Sequence, residues 1–259
     1  MRVAVLNDIH GNLPALEAVL QEVRAARVDR IVAGGDVVPG PMMGECLALL
    51  SSLDIPVDFL HGNGETAIRA VWAGLDDPRV PGRYRPLMRW SAASLQRDFA
   101  GLVSAWPPTI TLPIQGVGDA LFCHATPRDD NEVFTKLTPA EIVREMLTGV
   151  TAPLVVCGHT HMPFDRTVGS VRIVNTGSVG MPFGPPGADW LLLGPAPGGR
   201  GPGTNLVFRH TDYDLQDAAR RIRATDYPDA ESFAAQYVLN PPSETQMLEA
   251  FTAASLAKK

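Results

Sequence analysis

Seven residues of this 259-residue chain have side chains suited to holding a divalent cation and share one kind of position: Asp8, His10, Asp36, Asn63, His124, His159 and His161. Each falls just past a short apolar run that reads as a β-strand, and open α/β sheets build ligand sites at the carboxyl ends of their strands. Five segments carry the set: NDIHGN (7–12), GGDVV (34–38), HGNGE (61–65), CHATP (123–127) and CGHTHMP (157–163). Taken singly, an Asp-x-His after a strand is a turn aspartate beside a surface histidine, and Gly-Asp is turn chemistry. Their joint occurrence at successive strand ends is not explained that way. Four of the six histidines belong to the set, His61 stands two residues from Asn63, and His210 lies apart.

Carboxylate and amide oxygens with imidazole nitrogens form a mixed donor set that suits manganese, iron, zinc, nickel or cobalt better than calcium. Seven ligands exceed what one catalytic ion with an open position uses. Two divalent transition-metal ions are therefore expected, with manganese the first choice. Asp36 is the natural bridge, because one carboxylate can offer an oxygen to each ion. Asp8, His10 and His161 are expected on one ion, and Asn63, His124 and His159 on the other. Two dications against two carboxylates leave a net positive centre that attracts an anion. Such ions, about 3.5 to 4 Å apart, acidify a water and clamp oxygens at phosphorus. The expected reaction is hydrolysis of a phosphate ester, with Asp36, Asn63 and His124 among its catalytic residues.

The elements that must deliver these residues are legible in the apolar pattern. Strands are expected at Val3 to Leu6, Arg30 to Ala33, Val57 to Leu60, Thr109 to Pro113, Ala120 to Phe122, Leu154 to Val156 and Val171 to Val174. A helix from about Pro14 to Ala26 repeats apolar residues on one face, with Asn12 as its N-cap and Pro14 in its first turn. Strand, helix, strand at this spacing is a parallel crossover unit. Further helices are expected at Met43 to Ser51 and across most of 65–105, beside the site and broken at Pro81-Gly82. Thr138 and Glu141 have the reciprocal capping spacing for a helix to about Leu147, and Ser243 with Gln246 caps a last one to about Leu256. Trp190 to Leu193 and Asn205 to Arg209 read as a hairpin whose long mobile tip is 194–203 (GPAPGGRGPG). Without an internal repeat or a composition shift, residues 1–259 are expected to form one domain.

A net charge of −6 argues against a broad basic surface for nucleic acid, which needs many Lys and Arg contacts to phosphate. A small substrate is easier to accommodate. The apolar run at the N-terminus stops after four residues at Asn7-Asp8, too short for a signal peptide or a membrane span, so a cytoplasmic protein is expected. Cys46, Cys123 and Cys157 are scattered and odd in number, which fits buried thiols better than disulfides or a thiolate zinc site.

The order Asp-x-His, Gly-Asp, Gly-Asn, lone His, Gly-His-x-His resembles the calcineurin-like metallophosphoesterase superfamily. VNTGSVGMP (174–182) and RHTDYD (209–214) look similar to its small bacterial phosphodiesterase branch. The resemblance implies an α/β fold, a four-layer αββα sandwich of two mixed sheets flanked by helices, with the dimetal site at the strand ends. It implies a phosphodiesterase or phosphatase acting on nucleotides or other small phosphoesters. A competing reading, a retired phosphoesterase fold serving as a binding or scaffold module, should have shed ligands, and here the set is complete.

One position departs from the family pattern. A histidine usually follows the Gly-Asn asparagine, where it contacts the phosphate and protonates the leaving group; this chain has Gly64. General acid catalysis contributes about 10² to 10⁴ in rate, so its loss favours esters with good leaving groups. His61, on the other side of the turn, is the candidate proton donor. Asn12 and Arg128 are candidates for phosphate contact.

Overall fold

A computed structural model of the chain describes residues 1–95, 99–195 and 204–257. Two five-stranded sheets stack face to face. The first has the order β10-β9-β1-β2-β3, where β1 is Val3–Leu6, β2 Arg30–Gly34, β3 Val57–Leu60, β9 Ala188–Pro195 and β10 Thr204–Thr211. The second has the order β4-β5-β6-β8-β7, with β4 Thr109–Ile114, β5 Gly118–Cys123, β6 Leu154–Cys157, β7 Phe164–Val168 and β8 Val171–Asn175. The central strands β1, β2 and β3 run parallel, as do β5, β6 and β8, while β9, β10, β4 and β7 pair antiparallel. Both sheets are mixed.

Strands buried on both faces lose polar alternation, and β1 (VAVL) and β6 (LVVC) are buried at every residue. Val3, Val5, Val32 and Leu60 of the first sheet pack against Phe122, Val156 and Val174 of the second. The outer face of the first sheet is covered by α1 (Leu13–Ala25) and α2 (Met43–Ser51), and by Ile68 of α3 (Asn63–Trp72) and Leu95 of α4 (Arg85–Leu95). A short α5 (Ala100–Ser104) follows. The outer face of the second sheet meets α6 (Ala140–Met146) through Ile142, Val143 and Met146. Helix, sheet, sheet, helix are the four layers expected from the resemblance.

The strands and helices that carry the chemistry fall within a few residues of their expected limits, and several details differ. Helix α3 begins at Asn63 rather than about Glu65, because the Gly62 and Gly64 N–H groups find carboxylate acceptors at once. The Thr138 hydroxyl does not cap α6; it accepts from Thr135 N at 2.9 Å and pairs with Ser255 Oγ at 3.1 Å. β9 runs on to Pro195, two residues into the expected hairpin tip, and 196–203 lie outside the described residues. Sequence reading assigns nothing to β7, nor to α7 (Leu215–Arg223), α8 (Ala230–Phe233) and the π-helical turn Ala234–Leu239, which form a small apolar cluster of their own. The last helix, α9 (Glu244–Ala257), is capped by Ser243 as expected. No helix among the described residues is long and apolar enough to cross a membrane.

Trp190 ties the antiparallel arm to this frame: its ring is fully buried and Nε1 donates to Thr211 Oγ1 at 2.9 Å. Trp190→Ala is expected to cost about 3 to 5 kcal/mol. Urea unfolding checks this as a lower midpoint at unchanged slope.

Candidate metal centre

The carboxyl ends of β1, β2 and β3 on one sheet, and of β5 and β6 on the other, open onto one crevice. β1 leads to Asp8 and His10, β2 to Asp36, and β3 to Asn63 at the first residue of α3. β5 leads to His124, and β6 to His159 and His161. Backbone bonds lock these loops together: Asp8 N donates to Gly35 O at 3.1 Å, His10 N to Asp36 O at 2.8 Å, and Gly158 N to His124 O at 2.8 Å. Five of these residues have left-handed backbone, Asp8 (φ 54°), His10 (46°), Asp36 (51°), His159 (67°) and His161 (57°). Such conformations cost on the order of 1 kcal/mol or more in a side-chain-bearing residue. They persist here because the surrounding hydrogen bonds leave the loops no alternative path.

The donor atoms cluster tightly. Asp8 Oδ1 lies 3.2 Å from His161 Nε2, 3.8 Å from His124 Nε2 and 4.0 Å from His10 Nε2. Asp36 spans the group, with Oδ2 3.7 Å from His10 Nε2 and Oδ1 3.6 Å from His124 Nε2. Asn63 Oδ1 is 3.1 Å from His124 Nε2, and the His159 ring centroid is 5.1 Å from that of His124. On their far sides the imidazoles are anchored by carbonyls: His10 Nδ1 to Pro39 O at 3.3 Å, His124 Nδ1 to Gly34 O at 3.1 Å and His161 Nδ1 to Met181 O at 2.7 Å. A carbonyl on one ring nitrogen fixes the tautomer that leaves the other free as a ligand.

The residues fit a cation. Asp8 Oδ1 and His159 Nε2 are buried without a hydrogen-bond partner, an arrangement that is costly unless something charged or polar completes it. Burial, reinforced by His161, lowers His10 to about 3. Burial and the His124 charge lower His159 to about 3. Both are thus held as the neutral imidazole that binds metal. Burial pushes Asp36 up to about 6, with the Asp8 charge adding to it against His124. Burial works against charge on His124 too, yet Asp36 and Asp8 raise it to about 8. A bound dication would supply positive charge to these buried carboxylates.

Glu65 is the important residue that sequence reading passes over. Its buried carboxylate accepts from Gly62 N at 2.7 Å, Asp36 N at 2.8 Å and Val38 N at 3.1 Å, and so pins the β2 and β3 loops to each other. Burial and the Asp36 charge push it up to about 7, against those three N–H donors. Its signal was present: an acid three residues past the N-cap glycine is placed to reach back to that cap. The segment 174–182 also has a physical role. Ser178 Oγ and Gly180 N donate to Asp8 O at 2.8 and 2.9 Å, and Phe183 stacks on His161 at 5.0 Å between centroids.

His61 flanks the cluster. Its Nδ1 is 3.2 Å from Thr66 Oγ1 and 3.4 Å from Asp130 Oδ2, and its ring lines a cleft of about 390 Å³ that ends at His124. Arg128 lies on the same cleft, paired with Glu132 and with Glu145 O. Asn12 does not face it. Its amide is fully buried, capping α1 through Ala15 N at 3.2 Å and donating to Gly180 O at 2.9 Å and Tyr213 Oη at 3.2 Å. With every polar atom spent inside the fold, Asn12 has nothing left for a phosphate, and the expectation of contact there is withdrawn. Gly64 is glycine for want of space: a Cβ would stand 2.3 Å from Val38 O and 2.8 Å from Pro39 Cδ.

Two outcomes follow from these contacts. Glu65→Gln replaces one acceptor oxygen by a donor facing backbone N–H groups, and is expected to cost about 1 to 3 kcal/mol and to lower metal uptake. Thermal melting and metal analysis read the two effects. Gly64→His, which restores the family residue, is expected to destabilise the fold through the Val38 clash and to give no gain on esters of poor leaving groups. Faster turnover of alkyl esters by that variant would contradict this account.

Comparison with known proteins agrees with the geometry. The profile of the calcineurin-like phosphoesterase superfamily domain matches residues 1–193. An uncharacterized protein of Methanocaldococcus jannaschii is 26% identical over 179 residues, covering 68% of this chain and 69% of its own length. The crystal structure of a metallophosphoesterase from Sphaerobacter thermophilus superposes with a TM-score of 0.70 at 24% identity, over 92% of this chain and 98% of that one. A hypothetical protein of Pyrococcus horikoshii gives 0.73 at 18% identity, over 93% and 99%. These two likenesses speak for the fold, and the profile match together with the Asp and His groups at the strand ends establishes that the chain belongs to the calcineurin-like phosphoesterase superfamily.

Proposed function

We propose that this chain is a dinuclear metal-dependent phosphodiesterase acting on nucleotides or other small phosphoesters. The observation that most supports it is a pair of donor groups, buried except for the half-buried His10: Asp8 with His10 and His161, and Asp8 with Asp36 and His124, each within 4.8 Å and sharing Asp8. In this reading Asp8, His10 and His161 would hold one ion, and Asn63, His124 and His159 the other, with Asp36 available to both; manganese is the first choice. The ions would supply an acidified water and positive charge for the phosphate oxygens.

The remaining work falls to the chain's own residues. Glu65 and the carbonyls behind the imidazoles hold the ligands in place, so little reorganisation is left for the reaction. With no room for a side chain at position 64, we assign the leaving-group proton to His61, whose Nδ1 faces Thr66 and Asp130. Burial opposes a charged Asp130, yet hydrogen bonds from His61, Thr66 and Arg79 hold its carboxyl well below the usual range. It therefore stays an acceptor for His61. Arg128 stands on the cleft wall as a candidate to meet a substrate anion.

Hydrolysis of bis-p-nitrophenyl phosphate should require a transition metal, stop with chelator and return with manganese. Asp36→Asn and His124→Ala are each expected to abolish it. Full activity in both variants, or a chain that takes up no transition metal on reconstitution, would instead favour a binding module. His61→Ala should slow esters of poor leaving groups by about 10² while sparing p-nitrophenyl esters. Equal effects on both would remove His61 from the proton path.

A further inference from the structure

The crevice forks at the second cluster of ligands. His124 lines the polar cleft that also holds His61, Thr66, Arg128 and Asp130. Asn63, whose Oδ1 is 3.1 Å from His124 Nε2, lines a separate pocket of about 150 Å³ with Val80, Pro81, Tyr84 and Met88. Arg79 belongs to both walls and divides them. Its guanidinium is fixed in place, with Nη2 2.7 Å from Asp77 Oδ2 and Nη1 2.7 Å from Asp130 Oδ1. The partition is therefore a built feature, joining the loop before α4 to the loop after β5.

A phosphate monoester has one organic substituent, and a diester has two. A phosphorus atom at the Asn63 and His124 contact has one compartment available for each of two substituents, and the compartments differ in kind. The cleft offers hydroxyl, imidazole and charged groups. The pocket combines a tyrosine ring, a methionine, a valine and a proline with the polar side chains of Asn63, Asp77 and Asn131. Its volume is about that of five waters, the scale of one ring system rather than a chain or a protein loop. Tyr84 is 40% exposed, so part of its ring is open to a ligand, and the Arg83 guanidinium lies 4.7 Å from its centroid. An aromatic ring with a cation over one face offers its other face as a stacking platform for a planar ring, and such stacking tolerates any base.

We infer that the Tyr84 pocket binds the nucleobase of a nucleotide diester, while the cleft on the far side of Arg79 takes its second, polar substituent. This rests on the phosphodiesterase reading and adds the part of the substrate that each wall recognises. It makes Tyr84 a specificity-determining residue.

Calorimetric titration of the manganese-loaded chain with adenosine 5′-monophosphate and with ribose 5-phosphate tests it, since the second has an anomeric hydroxyl where the first has its base. Wild type is expected to bind the nucleotide at least tenfold more tightly. Tyr84→Ala should weaken nucleotide binding by about tenfold and leave ribose 5-phosphate unchanged, and Tyr84→Phe should keep the preference. Equal affinities for the two probes in wild type would overturn the inference, as would equal weakening of both by Tyr84→Ala. If wild type also fails to hydrolyse bis-p-nitrophenyl phosphate, the phosphodiesterase reading falls with it. If it hydrolyses that ester without preferring the nucleotide, only the base pocket is lost.

Discussion

Two buried carboxylates held side by side are the constraint on which this structure turns. Asp8 and Asp36 are both buried, where like charges repel and water cannot screen them. The fold meets that cost locally. Asp8 Oδ2 accepts from His159 N at 2.9 Å, and Asp36 Oδ1 accepts from Gly64 N at 2.8 Å. Asp8 thus spends one oxygen on the backbone and keeps the other toward the imidazoles, while Asp36 turns both oxygens to imidazoles, Oδ1 to His124 and Oδ2 to His10. Glu65 adds a third acid to the neighbourhood, and it can do so because three backbone N–H groups converge on it.

This arrangement explains why two sheets are needed. Parallel strands present their loops at one edge, and stacking two such sheets brings five loops to one place without any of them being long. The helices outside the sheets only have to be apolar on one face. The residues between the strand ends and the helices are left to satisfy charge, which is why left-handed backbone gathers there.

Sequence alone gave access to the strands that carry ligands, because β1 and β6 are buried on both faces and read as unbroken apolar runs. It also exposed the ligand set, since imidazoles and carboxylates after such runs have few other uses. What escaped it has physical reasons. β7 (FDRTV) is an edge strand whose polar residues face outward, with Asp165 paired to Arg172, so no apolar run marks it. Glu65 looks like an ordinary first-turn acid until the β2 loop folds over it. Asn12 was assigned two roles, cap and phosphate contact, and only packing against Gly180 and Tyr213 decides between them. The partition at Arg79 joins residues about fifty positions apart in the chain, and no local pattern announces it.

The ligands come from both sheets, and this has a mechanical consequence. His10 and His161 are separated by 151 positions in sequence, yet their Nε2 atoms stand 3.3 Å apart. An ion shared between them would be a clasp closing one edge of the sandwich and a very long chain loop. It would bind only the assembled chain, and ligands selective for the folded state stabilise it. The same ions proposed to act on a substrate would then also be fasteners. Stripping them would loosen the structure first at the edge where substrate enters, while the apolar interior between the sheets stayed closed.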